Sequence, residues 1–278
     1  AEGAGHFKQN MGAKPSTYEE HVLPHRPLRE VWPDRLWVLE GSLPFPLPRN
    51  MFVYRRNTGK LLVYSAIACD DEALAALRAL GEIDLLVVPS AQHTRDWQVF
   101  KTKVCPHATV ASPRRVGVGD VALEDTDVAT FEADGLPSGG ELTLALDLGD
   151  GKATLLFCDL LFNVVDVPPQ TWLSRLLNDY VFGSYGPLHV SLLTRRFICR
   201  DHVALKRWLQ HTLPDAVLAD FQEIAVVAVA HGTPITHDCR HHLHLAGERL
   251  LPSSSSASSS SSGGATAAAT TTPAAPVE

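Results

Sequence analysis

Residues 85–97 read LLVVPSAQHTRDW, and they constrain the fold more than any other stretch. The apolar run LLVV suits a buried strand and Pro89 ends it; a polar loop then presents His93, Arg95 and Asp96 before Trp97 opens a helix-like pattern. A buried sheet holds such a loop rigidly while leaving its side chains free to reach a ligand. A histidine and a carboxylate three residues apart make this loop the first place to look for chemistry.

The preceding segments set its place in a sheet. RLWVLEG, NMFVYRR and KLLVYSAIA are strand candidates separated by Pro-rich and Asn57-Thr58-Gly59 turn signals, which reads as a β-meander. Asp70 to Leu80 is a helix capped by Asp70 or Asp71, with Ala73, Ala76, Leu77 and Leu80 on one face and Gly81 at its end. Strand, helix, strand implies a parallel crossover, which puts the His93 loop at the carboxyl end of its strand. Trp97 to Val104 predicts a short helix and HATVAS a further strand.

Residues 114–160 hold a second group, GDVALE, DVATFEA, ELTLALDLG and KATLLFC, punctuated by glycines, and imply a second sheet. Helical patterns follow, weak from Pro169 to Tyr180 and stronger from Asp201 to Thr212, where Leu205, Trp208, Leu209 and Thr212 share a face. EIAVVAVA, residues 223–230, is a last buried strand that runs straight into His231-Gly232. The chain therefore divides into an N-terminal arm over 1–30, an ordered domain over 31–250 and a disordered Ser/Ala/Thr-rich tail over 251–278.

Composition removes several classes of function. A net charge of −7, from 24 basic and 31 acidic residues, gives no reason to expect nucleic acid or an anionic membrane as partner. Five widely spaced cysteines without a CxxC pair argue against a disulfide framework or a thiolate zinc site, and point to the cytoplasm or another reducing compartment. No apolar run approaches the roughly 20 residues of a membrane span, so a soluble protein is expected. The 45 % hydrophobic content supports a sizeable core.

Three strands end in groups that can converge: His93 with Asp96, Asp159, and His231. Two imidazoles and two carboxylates suit a divalent metal, zinc first, with iron and manganese also compatible. Each also has a plain structural role open to it. The histidines can bond backbone, Asp96 can cap the following helix, and Asp159 can fix a loop. Arg95 reads as solvated or ion-paired, and Cys158 as a small buried apolar group. In THDCRHHLHLAGERL, helical spacing puts Cys239, Leu243, Ala246 and Leu250 on one apolar stripe and sends His241 and His244 to solvent, with His237, close behind His231-Gly232, an outside candidate for the strand-end site.

In their order, PSAQHTRDW, LLFCDLLFN and VAHGTPI resemble the metallo-β-lactamase-like superfamily, and within it the DUF4336-type proteins, over roughly Val31 to Arg249. The resemblance implies a four-layer αββα sandwich with a metal site at the edge where its two sheets meet. Hydrolytic members carry an HxHxDH segment. Here only His93 and Asp96 stand in that segment; Ala91, Arg95 and Trp97 are not ligands, and Ser65 replaces an often acidic residue. Asp159 matches the family's bridging aspartate and His231 its late strand-end histidine. Mid-chain, where a further ligand histidine is usual, the candidate is Glu141. The resemblance thus implies a single, reduced metal site.

Two functions are compatible with this reading. The first is a metal-dependent hydrolase of a small ester, lactone, amide or thioester, with His93, Asp96, Asp159 and His231 as ligands and a small molecule as partner. The second is a catalytically silent binding or scaffold member of the same fold.

Overall fold

The computed structural model describes residues 16–44, 46–166, 171–177 and 183–250. The tail over 251–278, the first half of the N-terminal arm and the ends of the weak helix from Pro169 to Tyr180 lie outside the described residues.

A short helix, α1 (Tyr18–His21), opens the described chain and lies against the first sheet, with Tyr18 buried and its hydroxyl accepting the Cys69 N–H at 3.0 Å. That sheet contains β1 (Arg29–Trp32), β2 (Leu36–Gly41), β3 (Arg49–Arg55), β4 (Leu61–Tyr64), β5 (Ile83–Val87), β6 (Thr109–Ser112) and β7 (Val121–Ala122), in that spatial order. The meander is present as β2 to β4, antiparallel throughout, and Gly59 at φ +81° supplies the left-handed residue of the β3–β4 turn. Helix α2 (Asp71–Leu80) then carries the chain to β5, which is parallel to β4; the Asp70 carboxylate accepts the Ala73 N–H at 2.9 Å and caps it. Helix α3 (Trp97–Val104) makes the next crossover, to β6. The loop between β5 and α3 therefore emerges at the carboxyl edge of a buried strand.

The second sheet holds β8 (Ala129–Glu132), β9 (Leu142–Gly149), β10 (Lys152–Val164), β11 (Gly186–Val190) and β12 (Glu223–Gly232). Strand β10 is its spine. It runs parallel to β12 on one side, and on the other it pairs with β9 along its first half and β11 along its second. Its pairing with β12 slips between Phe157 and Phe162, so residues 158–161 leave the regular ladder. Helices α4 (Trp172–Leu177), α5 (His202–Arg207), α6 (Leu213–Leu218) and α7 (Cys239–Leu250) complete the chain. The helix expected over Asp201 to Thr212 is present but widens into a π turn at Trp208–Thr212 before α6.

Alternation along the strands produces three cores and hence four layers. In β10, Leu156 and Cys158 face the first sheet, meeting Phe52, Leu62 and Tyr64, while Leu155 and Phe157 face away onto Trp208, Leu209 and Leu243. On the other side, Met51, Val63 and Leu86 pack under Leu74, Leu77 and Phe100 of α2 and α3. The result is helices, sheet, sheet, helices. Helix α7 buries Cys239, Leu243, Ala246 and Leu250 and leaves His241 and His244 exposed, as the stripe required; His237, ahead of the helix, is exposed as well and faces His242. Among the described residues no helix is long and apolar enough to cross a membrane.

Candidate metal centre

Three of the four strand-end candidates meet at one edge of the two sheets. His93 sits on the 3-10 turn Ala91–His93 beyond β5, Asp159 on the slipped stretch of β10, and His231 next to the end of β12. His93 Nε2 lies 3.3 Å from Asp159 Oδ1 and 3.2 Å from His231 Nε2; His231 Nε2 lies 3.2 Å from Asp159 Oδ1. The imidazoles are nearly closed off, while 24 % of the Asp159 side chain remains open to a cleft.

The outer ring nitrogens determine what faces inward. His231 Nδ1 is 2.7 Å from the Pro48 carbonyl, which only accepts, so Nδ1 carries a proton and Nε2 is the nitrogen turned toward Asp159. His93 Nδ1 is 2.6 Å from Ser65 Oγ. Ser65 is held at φ +58°, a conformation unfavourable for a non-glycine residue and retained where the surroundings require it. That contact leaves His93 Nε2 facing Asp159 and His231. Two ring nitrogens and a carboxylate oxygen thus face one point, donor types that a divalent metal takes.

The spacing fits one. Metal–donor bonds of about 2.0–2.1 Å in a tetrahedron separate donors by about 3.3–3.4 Å, close to all three sides of this triangle. The carbonyl and hydroxyl behind the histidines are of the kind that orients metal-ligating imidazoles. Cys158 Sγ also comes within reach of His93 and Asp159. It bonds Ser90 Oγ and Asp159 Oδ2 at 3.7 Å, and burial with two neighbouring carboxylates pushes the thiol pKa up, which disfavours the thiolate a metal would take.

No family model matches the sequence, and no curated protein matches it. Solved structures do. The chain is similar to the metallo-β-lactamase FIM-1 from Pseudomonas aeruginosa in its mono-zinc form, with 12 % identity over 84 % of this chain and 99 % of that one and a TM-score of 0.50. It is also similar to the DIM-1 metallo-β-lactamase exposed to ceftazidime, with 10 % identity, coverages of 83 % and 99 %, and a TM-score of 0.52. The fold is that of the metallo-β-lactamases.

In this chain Ser90 and Glu141 support Asp159. The Ser90 hydroxyl donates to Asp159 Oδ2 at 2.7 Å, leaving Oδ1 for the histidines. Burial opposes the Asp159 charge, but the imidazoles of His93 and His231 outweigh it and hold the carboxyl well below its usual range. Glu141, the mid-chain carboxylate candidate, lies beneath the slip in β10. Its two oxygens accept the Cys158 and Asp159 N–H groups, each at 2.7 Å, replacing the ladder bonds lost there. Burial and the nearby Asp159 charge push its carboxyl up to about 8, against the backbone donors that lower it.

Glu141→Gln keeps one acceptor and turns an amide NH₂ toward the other N–H. The expected loss is about 1–3 kcal/mol of stability, with metal affinity falling about 10–100-fold. Calorimetric unfolding and zinc titration check the two effects, and an unchanged zinc affinity would remove Glu141 from the support of Asp159.

Asp96 has a different set of partners. Its carboxylate is fully buried, bonds the Arg49 guanidinium, and accepts from His21 Nδ1 at 2.8 Å and the Ala68 N–H at 3.3 Å. It makes no side-chain cap to α3. Beside the triangle, a cavity of about 660 Å³ reaches Asp159 and Glu141 and runs out past Leu193 and Phe197.

Proposed function

We propose that the protein is a metallo-β-lactamase-fold hydrolase that uses one divalent metal, zinc first, on a small ester, lactone, amide or thioester. His93, Asp159 and His231 hold the metal; Asp96 anchors the loop that carries His93. The donor triangle, with the proton of His231 committed outward to Pro48, carries this reading. When bound, such a metal acidifies a water and polarises a carbonyl.

The chain's own residues do the rest. Ser65 and Pro48 orient the two imidazoles, Ser90 and Glu141 fix Asp159, and the adjoining cavity has the volume of a small-molecule site. The motifs PSAQHTRDW, LLFCDLLFN and VAHGTPI support a DUF4336-type assignment, with the working unit in the 31–250 domain.

Protein purified without chelators is expected to carry about one equivalent of zinc, iron or manganese, and His93→Ala, Asp159→Ala and His231→Ala to carry less than about a tenth. Wild-type protein with less than about a tenth of an equivalent, unchanged by these substitutions, would sink the proposal. The remaining reading would then be a silent binding module. One observation favours that alternative: Asp96, the fourth donor expected from the sequence, is occupied by Arg49 and His21.

A further inference from the structure

The cavity that ends on Asp159 has two arginines in its wall, Arg115 and Arg200. Among the described residues neither guanidinium has an ion-pair or hydrogen-bond partner. That contrasts with the first sheet, where Arg26 and Arg29 bond Glu40, and Arg56 bonds Asp84 and Asp127. The carboxylates along the same wall are all engaged: Glu132 by Ser138 Oγ and the Gly139 N–H, Glu141 by the β10 backbone, Asp159 by the histidines and Ser90. Glu132 and Asp159 keep their charges but have their oxygens occupied, so the charged groups of the cavity with free hydrogen-bonding capacity are the two guanidiniums.

One loop sets the two arginines. The Arg200 N–H donates to the Gly135 carbonyl at 2.8 Å and the Arg115 N–H to the Gly139 carbonyl at 3.0 Å. Those carbonyls are four residues apart, at most about 14 Å along a fully extended chain, so both long side chains start from opposite ends of one short wall. Gly135 is pressed close: a Cβ there would stand 2.2 Å from the Asp201 carbonyl oxygen. Around the arginines the lining is apolar, through Val116, Leu136, Phe162, Leu193, Phe197 and Ile198. Phe197 is 74 % exposed at the mouth, apolar surface that a ligand would cover.

We propose that the cavity binds an amphiphilic anion, its carboxylate or phosphate held by Arg115 and Arg200 and its apolar body laid against the aliphatic and aromatic wall. This inference rests on the hydrolase reading only in naming that anion as part of the substrate; the binding itself needs no metal. Guanidinium groups recognise both oxyanions through paired N–H donors.

Octanoate, octyl phosphate and 1-octanol, titrated calorimetrically into the full chain with and without zinc, test it. Both forms should bind at least one anion about tenfold or more tightly than the alcohol, and the tighter anion identifies the group. Arg115→Gln/Arg200→Gln should lose that preference, keep its affinity for 1-octanol and retain wild-type thermal unfolding. Equal affinity for alcohol and anions, an anion preference unchanged in the double variant, or no binding of any probe would overturn the inference. Zinc content read on the same samples separates the two readings. Lost anion preference in protein that takes up one zinc defeats this inference alone, and anion preference in protein that takes up less than about a tenth of an equivalent of added zinc defeats the metal reading alone.

Discussion

Asp96→Ala is expected to lower folding stability by about 3–5 kcal/mol and to leave zinc stoichiometry unchanged in the folded protein. The Asp96 side chain has no exposure and that of Arg49 only 7 %, so removing the carboxylate strands a guanidinium away from water. Burial already pulls the Arg49 pKa down, with Asp96 opposing it, and the Arg49 Nε has no other partner. The substitution also releases His21 from α1 and the Ala68 N–H that follows β4. Chemical denaturation of metal-free protein measures the loss. Arg49→Met/Asp96→Leu should recover much of it, because replacing both partners of a buried pair is far less costly than removing one. The opposite pattern, unchanged stability with zinc lost, would return Asp96 to the ligand set.

The role of Asp96 marks the limit of what the sequence could show. A carboxylate before a helical pattern and three residues from a histidine reads as a cap or a ligand, because both are local properties. Its partners, Arg49 and His21, lie 47 and 75 residues away, and nothing in the spacing announces them. The same holds for the site's supports. Ser65 reaches His93 across 28 residues and Pro48 reaches His231 across 183, and a carbonyl leaves no mark of its role in a sequence. What was legible were the strand ends. Apolar runs stopping at Pro89 and Ala230 each deliver a donor near a strand end, whereas the run read as ending at Cys158 continues as β10 to Val164 and presents Asp159 at the slip in its pairing with β12. The layers were legible too: strict alternation in β10 places Leu156 and Leu155 in different cores. The π turn at Trp208–Thr212 was hidden, because the apolar face of Leu205, Trp208 and Leu209 has the same spacing with or without it.

Gly232→Ala is expected to cost about 4 kcal/mol or more and to abolish zinc binding in whatever folded protein remains. Gly232 closes β12 at φ +107°, a conformation that L side chains rarely adopt, and a Cβ there would lie 2.1 Å from the Asn163 carbonyl oxygen and 2.7 Å from the Val164 nitrogen. Neither contact is with a flexible side chain; both are backbone of β10. That backbone has little freedom to yield. Asn163 accepts the Thr233 N–H at 2.9 Å and its side chain donates to the Thr233 carbonyl at 2.6 Å, while Asn50 Nδ2 donates to the Val229 carbonyl at 2.8 Å. The strand end is thus bound to both sheets, and any shift that makes room for a methyl carries His231 out of donor distance from Asp159. Gly149→Ala isolates the other component, because Gly149 also has positive φ, +88°, but no atom within 4 Å of its Cβ position. It should show the backbone strain alone, about 1–3 kcal/mol, with zinc retained. Equal losses in the two variants, or zinc bound normally by Gly232→Ala, would show that the end of β12 does not set the position of His231.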